Sequence, residues 1–356
     1  MPTDFPTRLL PSASEWRGHG LSAGLRMSTQ VRTSLAVRLA GCMLAVLGMT
    51  LSGAIWAQAY PSKPIRFVVG YPPGGSGDFV TRTVGEALAQ ELGQTAVIDN
   101  RPGAAGNLAA EIVLKSPADG YTLYVGSNPY INKALYKKLP FDVERDLIPI
   151  TLLGDGPMII AVNNQLPVHS IQDLLTYARQ RRGQLNFGSS GNGSTPHLAG
   201  ILFNSMGQTD ILHIPFKGGA PAVQSLIAGD TQVIFGTSPV VLPQVRAGRI
   251  RALAITTQKR SAAIPGIMGM QEAGLPGFDI SFSFGLYAPV GTPPEAVRKL
   301  YEAAVKVLQR PDMRDKLATQ GMDPAPSASP EEFRQMNLRL APLWARLIAE
   351  SGAKVD

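Results

Sequence analysis

Cysteine is all but missing from this chain: Cys42 is the single one in 356 residues. Beyond residue 59 there is none, which excludes a disulfide framework, a thiol nucleophile and a Cys metal site from that part. A chain this long does not need disulfides, because a large core carries the stability. Histidine is nearly as scarce. His169, His197 and His213 lie beyond residue 59, with no H-E-x-x-H and no i,i+4 pair, so a zinc-hydrolase reading fails. No G-x-x-x-x-G-K-S/T occurs, which removes P-loop chemistry. Gly75 and Gly77 are followed by Val80, so the third glycine of G-x-G-x-x-G is lacking. Ser190 is followed by Gly191 and Asn192, which is not a G-x-S-x-G elbow. Charge is also thin, at 17% of residues. Residues 1–59 carry five Arg against Asp4 and Glu15, so three of the seven net positive charges lie there and four beyond. Those charges are scattered, not striped beside aromatics, and give nucleic-acid binding no support. No solenoid period recurs. An enzyme on this chain would need a nucleophile–base or metal constellation that the sequence does not contain.

What is present begins with an address. Residues 28–38 are polar and hold Arg32 and Arg38, and the run Leu39 to Ile55 has no charge. It ends at Trp56-Ala57-Gln58-Ala59, an A-x-A pattern of the kind signal peptidase accepts. The reading is export to the periplasm with cleavage after Ala59. Two alternatives stay open. One is an uncleaved anchor, since 17 residues reach the short end of a membrane span. The other is a lipoprotein box at Leu39-Ala40-Gly41-Cys42, although Arg38 abuts it and most of the apolar run follows the cysteine. Met27 is an alternative start to Met1.

From Pro64 short β-rich runs alternate with helical segments. Ile65–Val69 is followed by a glycine loop and a helix over 78–92. Thr95–Asp99, a helix over 107–115 and the strand Tyr121–Val125 come next. A second series starts at Met158–Val162 and continues through helices at 171–181, 196–206 and 221–228. Its later strands are 185–188, 211–214, 232–235 and 252–256. Ile280 to Ala288 is a late strand, and helices over 294–308 and 330–350 close the chain. Such alternation predicts an α/β fold of βαβ units with parallel strands, in two lobes with a cleft between them.

Four strand-to-helix loops share one design: glycines followed by a helix start. They are 71–78, 100–107, 188–197 and 216–221. Glycine lets the backbone approach a ligand and turn N–H groups inward, and a helix N-terminus adds unpaired donors and partial positive charge. Thr195 is the expected N-cap of the third helix, with Pro196 at its first position. Each loop alone also reads as an ordinary βα turn. Lys217, the cation of the fourth loop, serves equally as a ligand contact or a solvated side chain. His197, in a first helical turn, serves as a ligand or as a structural hydrogen-bonder.

These loops resemble a known family. Pro72-x-Gly74-Gly75 with Asp78 and Arg82, Asn100-Arg101-Pro102-Gly103-Ala104-x-Gly106-Asn107 and Pro117-Ala118-Asp119-Gly120-Tyr121 are similar to the Bug receptors. Those are the substrate-binding proteins of tripartite tricarboxylate transporters. Ser194-x-x-His197-Leu198, Phe216-Lys217-Gly218-Gly219-x-Pro221, Gly248-Arg249-Ile250-Arg251 and Ala288-Pro289-x-Gly291-Thr292-Pro293 extend the likeness from about Tyr60 to the C-terminus.

The resemblance implies a type II periplasmic-binding-protein fold, monomeric and without cofactor or metal, that closes on a small organic acid. The first lobe would be residues 60–160 with 282–356 returning to it, and the second 161–281. The contacts it implies are Pro72, Gly74, Gly75 and Asp78 in the first lobe, and Ser189, Gly193, Ser194 and His197 in the second. Lys217, Gly218 and Gly219 stand beside the latter. The implied partners are the membrane subunits of a transporter or, alternatively, a sensor kinase to which the liganded form signals. One departure bears on the ligand. Where many members carry Gly-x-Val/Ile-Asp, this chain has Gly229-Asp230-Thr231-Gln232, which argues against an amino acid.

Overall fold

Strand β1, Ile65–Val69, is apolar and buried except at the half-buried Arg66, as a strand covered on both faces must be. The computed structural model describes residues 60–127, 129–136 and 138–351. The proposed leader, with Cys42, the start at Met27 and the cleavage site at Ala59, lies outside the described residues.

β1 pairs in parallel with β2 (Ala96–Asn100) on one side and β3 (Thr122–Gly126) on the other. The intervening chain is helical. α1 (Ser76–Val80) runs through a wide turn, Thr81–Gly85, into α2 (Glu86–Glu91). α3 spans Asn107–Leu114, and α4 (Pro129–Leu135) and α5 (Val143–Asp146) follow β3. Next comes β4, Leu147–Asn163, a strand of 17 residues. The second series then repeats the scheme, with α6 (Ile171–Gln180), β5 (Asn186–Ser189), α7 (Thr195–Gly207) and β6 (Leu212–Pro215). It continues through α8 (Gly219–Ala228), β7 (Val233–Thr237), α9 (Ser238–Arg246) and β8 (Ile250–Ile255). β9 (Ser281–Pro289) returns to β3, and α10 (Pro294–Leu308), α11 (Pro311–Ala318) and α12 (Pro330–Ser351) end the described chain.

Among the described residues the nine strands form one sheet, ordered β2-β1-β3-β9-β4-β7-β5-β6, with β8 also on β4. Its two halves have matching orders, β2-β1-β3-β9-β4 and β6-β5-β7-β4-β8. Strand β4 belongs to both. Its residues 147–157 pair with β9, and residues 158–163 pair with β7 and β8. These pairings are antiparallel, so the sheet is mixed; the parallel units predicted from the alternation are confined to the strands joined by helices.

Phe67, Leu123 and Val84 are fully buried in the first half, as are Phe187, Phe203 and Phe235 in the second. Each contributes about 1.5–3 kcal/mol through removal of apolar surface from water. The crossing segment is tightly seated. Asp155 and Asp323 exchange backbone hydrogen bonds of 3.1 and 2.9 Å, tying β4 to the chain after α11. Among the described residues no helix is long and apolar enough to cross a membrane.

Candidate functional site

A cavity of about 630 Å³ lies where the C-terminal ends of β1, β3, β5 and β7 face one another. That size suits a small-molecule ligand. The four glycine loops meet there, and their helices are unusual in one respect. α1 begins at Gly75, α3 at Gly106 and α8 at Gly218, and no side chain caps any of them. α9 begins at Thr237, also without a side-chain cap. Ser, Asp or Asn would ordinarily satisfy the first N–H groups of a helix. Here these four starts border the cavity and leave their first donors open to what occupies it.

The third loop is built differently. Ser194, not Thr195 as expected, is the N-cap of α7: its Oγ accepts the His197 N–H at 3.3 Å. Ser194 is the last extended residue, with ψ at 153°, and Thr195 is already helical, so the cap falls on Ser194. Ser194 Oγ also donates to the Gly191 carbonyl at 2.7 Å, and the Gly191 N–H reaches Ser189 Oγ at 3.1 Å. Both serine hydroxyls therefore shape the loop around the cavity.

Two histidines brace it from behind. Gly193 N–H donates to His197 Nδ1 at 3.1 Å, and Ser189 Oγ bonds His213 Nε2 at 2.6 Å. The two imidazoles stack with centroids 3.8 Å apart, and His213 also lies on Phe187 at 5.0 Å. Burial holds His197 down to about 4. Burial and the neighbouring His197 together bring His213 down to about 3. Both rings are neutral at pH 7, which the stack requires, since two imidazolium charges at that distance would repel.

The first loop is held in a comparable way. Gly74 N–H donates to Asp78 Oδ2 at 3.0 Å, and Arg82 Nε donates to the same oxygen at 3.1 Å. The other carboxylate oxygen faces an Arg82 terminal nitrogen at 3.0 Å as an ion pair. Burial acts to raise Asp78, but bonds from Arg82, Gly74 and Asn100 and the Arg82 charge keep it below the ordinary carboxylate range. Arg82 continues to Asn100 Oδ1 at 3.3 Å, and Asn100 Nδ2 donates to the Tyr71 carbonyl at 3.1 Å. The first and second loops are thereby one unit. Their backbones touch: a Cβ on Gly70 would lie 2.7 Å from Gly106 Cα, so only glycine fits that crossing.

Of the residues expected at the site, Pro72, Gly75, Ser189, Gly193 and Ser194 line the cavity, as do Lys217, Gly218 and Gly219. Gly74, Asp78 and His197 do not. Asp78 and His197 stand behind the lining, each accepting a loop N–H, and Gly74 gives its N–H to Asp78. Lys217 is the one charged side chain among the described lining residues. Among the described residues no cluster of His, Cys, Asp or Glu could hold a metal.

Sequence reasoning missed the aromatic lining, Tyr71, Tyr136, Phe216, Phe282 and Phe284. It also missed Ser76, whose Oγ meets Thr237 Oγ1 at 2.6 Å. Two signals were available. Phe282 and Phe284 alternate on one face of a strand, and Ser238-Pro239 after Thr237 marks a helix start.

Known proteins share this arrangement. Protein BugT of Bordetella pertussis is 34% identical over 321 residues, 88% of this chain and 98% of that protein. Two solved structures superimpose closely. An R. palustris protein with adipate has a TM-score of 0.79 at 34% identity, covering 83% of this chain and all of the other. MatC from Rhodopseudomonas palustris, with bound malate, has 0.75 at 30% identity, covering 81% of this chain and all of the other. The fold is thus that of the periplasmic binding proteins, which bind solutes and are not enzymes. The family model for the tripartite tricarboxylate transporter family receptor matches residues 80–352, and this chain belongs to that family.

Proposed function

We propose that the chain captures a small organic acid in this cleft and presents it to the membrane subunits of a tripartite transporter. The observation that carries the reading is the convergence on one cavity of uncapped helix starts and Lys217, without an acidic side chain among the described lining residues. Such a surface favours an anion and leaves an ammonium unpaired. The relatives solved with adipate and malate support a carboxylate as that anion.

In this reading the carboxylate meets the main-chain donors of Gly218 and Gly219 and packs against Gly75, Gly193 and Ser194, whose own N–H groups serve the Pro72 carbonyl, His197 Nδ1 and the Gly191 carbonyl. Pro72 and Lys217 stand at the rim, and Ser189 shapes the loop. Gly74, Asp78 and His197 act as positioning residues. The lobes are 60–160 with 282–356, and 161–281, and the protein works as a monomer in the periplasm after cleavage behind Ala59. Ligand binds the closed arrangement better and shifts the population toward it.

Residues 60–356, freed of carried-over ligand, should be melted against adipate, malate, aromatic acids, amino acids and the matching amides. A ligand at about 100-fold over its Kd adds about 2.7 kcal/mol, which a melt resolves. Stabilisation by an acid and none by its amide is expected. Equal stabilisation by both would overturn the carboxylate reading.

A further inference from the structure

Resting on the carboxylate reading, one question is what the rest of the ligand looks like, and the cavity walls answer it. On the first half of the sheet the wall is made of rings. Tyr71 stands edge-on to Phe284, with centroids 5.5 Å apart and planes at 84°. Phe284 is in turn edge-on to Phe282 at 5.8 Å and 67°. These rings are fixed. Phe282 and Phe284 are 2% and 3% exposed, and Tyr71 is pinned at its far end, where its hydroxyl accepts the Ser127 N–H at 3.1 Å.

Across the cavity stands Phe216, on the chain between β6 and α8. Its ring edge would come within 3.4 Å of a Cβ on Gly188, so the ring packs against β5 at a position that glycine leaves open. Phe216 immediately precedes Lys217, so the cation and the ring are presented together. An edge-to-face array continues when another ring enters it, and each such pair adds roughly threefold to tenfold in affinity beyond the area buried. A saturated chain of equal area gains only the burial. An amino group on the ligand would find no carboxylate among the described lining residues, because Asp78 is already engaged with Arg82 and Gly74.

We infer that the ligand of this cleft is an aromatic carboxylate without an amino group, its carboxylate toward the glycine loops and its ring between Phe216 and the Tyr71–Phe284–Phe282 wall.

The test is calorimetry on ligand-free protein with matched pairs. These are benzoate and cyclohexanecarboxylate, phenylacetate and cyclohexylacetate, and phthalate and cyclohexane-1,2-dicarboxylate, with adipate, malate and phenylalanine alongside. At least one aromatic acid should bind tenfold or more tightly than its saturated partner, and phenylalanine should give no heat. Phe216→Leu should weaken that aromatic acid about tenfold and its saturated partner less than threefold. Binding of adipate or malate with no aromatic preference in any pair would overturn the inference and leave the carboxylate reading standing. Tight binding of phenylalanine would also overturn it. Failure of every acid, with a normal melting transition, would overturn the carboxylate reading itself.

Discussion

Ser76 and Thr237 meet hydroxyl to hydroxyl at 2.6 Å, although 161 residues separate them. Ser76 opens α1 in the first half of the sheet, and Thr237 opens α9 in the second. The contact therefore forms only when the two helix starts face each other across the cleft. Thr237→Val keeps the shape and removes the bond. A bond of this kind is worth about 0.5–1.5 kcal/mol, so affinity for the cognate acid should fall about threefold to tenfold, mostly through faster release. Stopped-flow dissociation rates equal to those of the unaltered protein would show that the bond plays no part in the bound form.

Gly193 is a second point of approach. Its φ is +71°, and a Cβ there would overlap Leu135 Cδ2 on α4. Gly193→Ala should cost tenfold or more in affinity, because the side chain keeps Leu135 away and strains the loop. Leu135→Ala in the same protein should restore part of the loss. Additive losses in calorimetry would place the defect in the loop alone.

Asp78 stands behind the cavity lining, where it holds the Gly74 N–H and Arg82. Asp78→Ala and Arg82→Ala should each weaken binding about tenfold, while the double variant is no worse than the more damaged single one. That non-additivity is what residues acting as one unit show. Full additivity in titrations would mean the two act separately.

The stacked histidines set a pH dependence. With His197 near 4 and His213 near 3 in the folded chain, and about 6.5 when unfolded, the unfolded state gains protons that the folded state refuses. Stability is therefore full above about pH 6.5 and declines as pH falls toward 4. His213→Gln should flatten the fall in melting temperature between pH 7 and 5. Parallel curves for the two proteins would contradict the assignment.

Asp155 contributes with the opposite sign. Burial, then the nearby Asp323, raises it to about 6, so the folded state holds a proton longer than the unfolded one. The penalty is full above about pH 6 and vanishes below about 4. Asp155→Asn should raise the melting temperature at pH 7 by about 2–4 °C and lose that advantage at pH 4. An equal gain at both values would point to packing instead of charge.

Most helices that flank the site were legible because proline and glycine mark their starts. Pro294 opens α10 where it was expected. The first half of β4 was not, since Pro149, Gly154, Gly156 and Pro157 read as breakers. In the sheet Pro149 and Gly154 sit beside register shifts, and a Cβ on Gly156 would lie 2.9 Å from the Gly321 carbonyl. That is a reason for glycine no local pattern carries. α4, α5, α9 and α11 were missed as well; α9 holds Pro243 within it. The glycine loops could be found in the chain because composition alone distinguishes them. That Asp78 and His197 would face loop N–H groups depends on side-chain direction, which spacing does not encode.

Because β4 lends its first eleven residues to one half of the sheet and its last six to the other, neither half is a module that can be lifted out. A cut within 147–163 deprives both of a central strand, so proteolysis there should yield no stable fragment. Anyone building chimaeras from two such receptors must take β4 whole from one parent, together with the β9 that reads its register.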